Sequence, residues 1–171
     1  NCARTVEEHA VHACAAVLRC QAVTEALFAS PAWAGRPRLT TRYGVHSGEV
    51  LVGNFGAPDR FNFTAIGDAV NLAARLESLN KQYGTTVLVS EQTARLAGER
   101  FAFRKVGRVA VKGKATAVDI FELLGPADAP RVSAQVVQVY EAALAAYGAA
   151  RFTRARALLE PQLDDPPSAR L

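Results

Sequence analysis

TAIGDAVNLAARLE, residues 64–77, is the stretch that decides the fold of this chain. Gly67 breaks an extended run, and Asp68 stands where a carboxylate would cap a helix running to about Tyr83-Gly84. Ala69, Leu72, Ala73 and Leu76 recur at i, i+3, i+4 and i+7, the spacing of a buried helical stripe. Asn71 and Arg75 fall one turn apart on another face, with Ser78. An arginine fork can hold two phosphate oxygens, and an asparagine amide can bond a sugar or phosphate oxygen. Spacing alone leaves a second possibility open, in which Arg75 pairs with Glu77, Asp68 or solvent and Asn71 is an ordinary first-turn polar residue.

Upstream of this helix the period changes. Leu39, Thr41, Tyr43 and Val45 alternate, as do Val50 with Val52 and Phe61 with Phe63 and Ala65, which predicts three strands. His46-Ser47-Gly48-Glu49 reads as a short turn between the first two, with Gly48 free to take φ > 0, and Ala57-Pro58-Asp59-Arg60 as a second turn. Further back, Ala10, Val11, Cys14, Val17, Leu18, Ala22 and Leu27 keep a helical period from about Thr5 to Phe28, closed by Ser30-Pro31.

Downstream, Thr85 to Val89 is a short strand, and Ser90 with Glu91 and Thr93 opens a small helix to about Leu96. Phe101–Val111 and Ala117–Leu124 follow as strands, joined by the loop Lys112-Gly113-Lys114. This order of elements predicts an α+β domain with a largely antiparallel sheet. Residues 125–130, GPADAP, break the composition and mark a linker. Residues 131–171 then carry two amphipathic helices, one with Val136, Val139, Tyr140, Ala143, Leu144 and Tyr147, the other with Phe152, Ala155, Leu158 and Leu159. The spacing of the second matches a tetratricopeptide helix, and a C-terminal helical hairpin packed on the domain accounts for it equally.

With 171 residues, half of them hydrophobic and 21% charged, the chain can bury a core without staples. The net charge of +4 is dispersed, so no nucleic-acid partner is expected, while an anionic small ligand stays open. Cys2, Cys14 and Cys20 form no C-x-x-C pair and read as reduced thiols of a cytosolic protein. No signal peptide is visible and no run approaches the about 18 apolar residues of a membrane span. The expected location is therefore cytoplasmic without membrane contact, any anchor of a longer protein lying upstream. Ser47 sits in H-S-G-E rather than G-x-S-x-G, the Lys112 loop lacks the Walker A pattern, and His9 and His12 have no third metal ligand.

Taken together, GVHSGEVLVGNFG (44–56), RFNFTAIGDAVNLAARLE (60–77), VAVKGK (109–114) and VDIFEL (118–123) resemble the class III adenylyl/guanylyl cyclase catalytic domain. EEHAVHACAAVLRCQ (7–21) is similar to the helix preceding these strands in bacterial members. The resemblance covers 1–124 and implies a ferredoxin-like nucleotidyl cyclase fold, truncated at its N-terminus. It implies conversion of ATP to cyclic AMP and pyrophosphate, two Mg or Mn ions that ease formation of the attacking alkoxide, and a homodimer with sites at the subunit interface. Asn71 matches the residue that orients the ribose, and Arg75 the one that stabilises charge growing on the α-phosphate. Lys112 matches the contact to the terminal phosphates, and Thr64 the purine-selecting position.

Thr at that position is typical of the bacterial and soluble subgroup often activated by bicarbonate; it suits adenine without excluding guanine. The family's two metal-binding Asp and its purine-contacting Lys precede the first helix, so the chain starts too late to hold them. Neither Asp59, in a turn, nor Asp68, at a helix start, replaces them. A catalytically inactive fragment with an unpaired sheet edge, prone to self-association, is expected. The alternatives are a catalytically silent cyclase-fold module and a guanylate cyclase.

Overall fold

Val87 to Ser90 is buried at every position, which marks a strand covered on both faces. In the computed structural model, which describes residues 5–57, 59–110, 117–162 and 164–168, this strand is the second of a four-stranded sheet. In chain order the elements are α1 (His9–Ala29), β1 (Tyr43–Val45), β2 (Leu51–Ala57), β3 (Arg60–Ile66), α2 (Asp68–Tyr83) and β4 (Val87–Ser90). They continue with α3 (Glu91–Ala97), β5 (Phe101–Val109), β6 (Val118–Pro126), α4 (Ala134–Gly148) and α5 (Phe152–Leu159).

The main sheet runs β1-β4-β6-β5, and β2 with β3 forms a separate two-stranded ribbon. Among the described pairings only β1 with β4 is parallel; β4–β6, β5–β6 and β2–β3 are antiparallel. The mixed α+β architecture with a mostly antiparallel sheet agrees with the sequence. Among the described residues β1 and β5 each have a neighbour on one side alone, so the sheet is open at both edges.

Alternation along β4 divides the core. Leu88 joins Leu72 and Leu76 of α2, Val106, Ile120, Tyr140, Ala143 and Leu159 on one face. Val87 and Val89 join Ala10 and Cys14 of α1, Ala97 of α3 and Leu123 on the other. Helices α4 and α5 thus share a core with α2. Arg104 on β5, 1% exposed, fastens this side. Its guanidinium donates to Glu122 of β6 at 2.6 and 3.2 Å and to Asp165 at 2.7 Å, and lies over the Tyr140 ring.

Several expectations change. The two strands read within residues 39–56 do not pair with each other: β1 pairs with β4 and β2 with β3. The cause lies in the connecting turn, which is bonded to Ser90 and Thr93 instead of folding back as a hairpin. Gly48 is not among the positive-φ glycines; a Cβ there would lie 2.9 Å from the His46 Nε2 and 3.0 Å from the Ala69 Cβ. Close approach, not backbone handedness, requires glycine at that position.

Helix α1 also differs from expectation. It is 21 residues long and apolar enough, by length and composition, to cross a membrane. Alanine, valine and cysteine supply that character, with Arg19 and Glu25 its only acidic or basic charges apart from histidine. Only Ala10 and Cys14 of this helix are buried. Burial pushes the Cys14 thiol up to about 11; Cys20 is exposed, and Cys2 lies outside the described residues.

Candidate active site

Helix α2 begins at the N-cap Gly67, whose φ is 140°, and no side chain caps it. Asp68 is the first helical residue and not the cap expected from sequence; there it complements the helix dipole. Leu72 and Leu76 are buried as predicted, whereas Ala69 and Ala73 are half-buried. Left-handed Gly84 ends the helix.

Two features seat this helix, and both escaped the sequence reading. Asn80, fully buried, donates from Nδ2 to the carbonyls of Tyr43 at 2.9 Å, Leu76 at 3.0 Å and Glu77 at 3.1 Å. It accepts from the Thr85 hydroxyl at 2.8 Å. It falls four residues after Leu76, so a polar residue on the apolar stripe was the available signal. The second feature is Gly44 in β1, where a Cβ would lie 2.2 Å from the Ala73 carbonyl oxygen and 2.3 Å from the Glu77 nitrogen. The helix backbone therefore rests directly on the strand.

With that face fixed, Asn71 and Arg75 are exposed on the helix. Arg75 Nη1 donates to the carbonyl oxygen of Ala110 at 2.5 Å. Neither Glu77 nor Asp68 is its hydrogen-bond partner in this contact. Ala110 follows the last residue of β5, two positions before Lys112. Lys112 itself, with the rest of the predicted Lys-Gly-Lys loop, lies outside the described residues. Thr64 is exposed on β3 and pairs across the ribbon with Gly53. Because cross-strand partners share a face, the missing side chain at Gly53 leaves room beside Thr64.

A cleft of about 770 Å³ opens at the start of α2, with His46, Glu49, Asp68, Leu72, Glu91 and Arg95 in its walls. Asn71 and Arg75 are not among its walls. Along β5, Lys105 and Arg108 both donate to Asp119 of β6. Burial alone would raise the Asp119 carboxyl, but these two cations outweigh it and hold it below the usual carboxylate range. Among the described residues no three His, Cys, Asp or Glu gather as a metal-holding group. No group of that size therefore stands among the described residues for the two ions that the resemblance implies.

The chain matches the model of the adenylate and guanylate cyclase catalytic domain over residues 2–124, and it belongs to that family. Adenylate cyclase 1 of Rhizobium meliloti (strain 1021) is 42% identical over 117 residues, covering 68% of this chain and 18% of that protein. The adenylate cyclase of Anabaena cylindrica is 42% identical over 92 residues, 52% of this chain and 18% of that protein. The chain thus spans about a fifth of the length of these curated relatives. In structure it resembles the adenylyl cyclase CyaB of P. aeruginosa, with a TM-score of 0.59 and 30% identity over 70% of this chain and 61% of the other. The guanylyl cyclase Cya2 gives the same TM-score, 0.59, at 28% identity over 71% and 61% of the two chains.

Proposed function

We propose that the chain supplies the nucleotide-contacting part of an adenylate cyclase site, in a protein that converts ATP to 3′,5′-cyclic AMP and pyrophosphate. The observation that carries this is the bond from Arg75 to the Ala110 carbonyl. It supports a guanidinium held at the root of the Lys112 loop, one helical turn from Asn71. Asn71 orients the ribose, Thr64 contacts the purine, and Lys112 meets the terminal phosphates. The ribose 3′-hydroxyl gives up its proton to water and its oxygen bonds to the α-phosphorus as the bond to the departing pyrophosphate breaks. Arg75 faces the charge that grows on the α-phosphate oxygens, where a positioned donor is most effective.

Asn71, Arg75 and Thr64 are all exposed, which supports a site closed by a second copy in a cytoplasmic homodimer. In this reading Mg or Mn is held by groups other than the described ones, and the chain by itself is expected to turn over no nucleotide. A guanylate cyclase is the second reading, favoured by the equal TM-scores to CyaB and Cya2. Identity to the two adenylate cyclases and Thr64 weigh toward ATP. The test is the product formed from equal ATP and GTP by a protein in which this domain is complete. Cyclic AMP in large excess is expected; predominant cyclic GMP refutes the assignment.

A further inference from the structure

The ribbon that carries Thr64 is an arm. Outside its own pairing, the ribbon's one contact of any extent among the described elements is the short one from β3 to α2, into which the arm runs. Leu51, Phe61 and Phe63 stand 59–68% exposed on it. A structure so loosely bound to the body needs a fixed root. The leg that enters the arm is the segment His46 to Val50, and it is held by a chain of buried hydroxyls. His46 Nδ1 lies 2.7 Å from the Ser90 Oγ. Ser90 Oγ is 3.1 Å from the Thr93 Oγ1, which donates to the Ser47 Oγ at 3.2 Å. Ser90 also accepts from the Thr93 backbone N–H as the N-cap of α3. Ser90 and Thr93 are wholly buried and Ser47 nearly so.

The leg that leaves the arm passes through Gly67. A Cβ placed there would stand 3.7 Å from the Glu49 carbonyl oxygen and 3.8 Å from the Val50 Cα. Leu51 pairs with Ile66 at the base of the ribbon, so the two legs adjoin at the root and what fixes the first bears on the second. Thr64 lies three residues before Gly67, and Asn71 four after it.

We propose that His46, through its bond to Ser90, is a positioning residue that sets the arm, and with it Thr64, against the Asn71 and Arg75 face of α2. It touches no substrate; it acts through the turn. Its bearing on base selection rests on the role given to Thr64 above, whereas its hold on the arm does not.

Amide ¹⁵N relaxation on this chain tests the hold without nucleotide. In the unsubstituted chain, residues 51–57 and 59–66 should show order parameters near those of rigid backbone, about 0.85, and in His46→Ala they should fall below about 0.6. Residues of β4 and of the second half of α2 should keep their parent values. His46→Asn, whose amide can occupy the place of the ring Nδ1, should restore the arm. An arm equally ordered in His46→Ala overturns the proposal. So does loosening spread evenly into β4, or an Asn variant as loose as Ala. Should His46→Ala fail to fold, Ser47→Ala, which removes only the link from Thr93, should loosen the arm to a smaller degree; an unchanged arm there overturns the proposal as well. Failure of this test leaves the cyclase assignment standing, and predominant cyclic GMP in the product test leaves the hold of His46 standing.

Discussion

Replacing Arg104 by Met removes a cation that is buried and shared. The guanidinium makes two donations to Glu122 and one to Asp165, and lies 4.9 Å from the centre of the Tyr140 ring. Methionine fills the stem but leaves two carboxylates facing each other, with only the weaker field of Arg131 acting on Glu122. Breaking a buried pair from one side costs about 3–5 kcal/mol. For a chain of this size that corresponds to a melting temperature lower by roughly 6–20 °C, at about 2–4 °C per kcal/mol.

The pH dependence has a definite sign. Burial tends to raise the Asp165 carboxyl, but the bonds from Arg104 and Ser168 prevail and hold it low. Its stabilising contribution is thus present above its unfolded value and lost as pH falls through the folded one. Glu122 moves the other way, raised by burial beyond what Arg104 offsets. Its contribution is present below the unfolded value and lost as pH rises through the folded one. Without Arg104 both carboxyls favour the protonated form, so the gap between variant and parent should narrow as pH falls from 7 toward 4. Urea denaturation followed by circular dichroism at several pH values reads both. A loss below about 1 kcal/mol at pH 7, or a gap that widens in acid, would refute the assignment of Arg104 as the fastening of this side.

Further outcomes follow from the site and the core. In a protein where this domain is complete, Arg75→Ala should lower kcat by about 10²–10³, and a loss under threefold would reject its role. The 171-residue chain alone, given Mn-ATP, should yield no cyclic AMP; clear product in a chromatographic assay would contradict that. Asn80→Leu should cost about 1–3 kcal/mol in thermal unfolding, since the Thr85 hydroxyl and the Tyr43 carbonyl lose their partner in a buried place. With a thiol reagent at pH 7, mass mapping should show Cys20 modified well before Cys14, whose thiolate is scarce because burial raises it to about 11.

How far the sequence carried can be seen element by element. Helix α2 and its exposed Asn71 and Arg75 were legible because a 3.6-residue period is a local property. The strands were legible as strands, but not their partners. Alternation in Tyr43–Val45 says nothing about whether the neighbour is Val50–Val52 or Val87–Val89; the bonds of the following turn to Ser90 and Thr93 settle it. Asn80 is illegible as a seating residue because it is a polar residue on the apolar stripe, where the periodic pattern gives it no place. The bonds of His46 with Ser90 and of Arg104 with Asp165 span 44 and 61 positions, beyond the reach of any periodic pattern.

Gly44 gives the domain a mechanical separation. A helix standing on side chains rises or sinks when those side chains are exchanged. Here α2 meets β1 main chain to main chain at Gly44, so its height at that point is set by backbone van der Waals contact. Methyl groups may come and go in the two cores, shifting the melting point, while the reach of Arg75 to the end of β5 stays the same. Such a domain can drift widely in stability before its charge-bearing face moves, and the shortest route to moving that face is to add one carbon atom at residue 44.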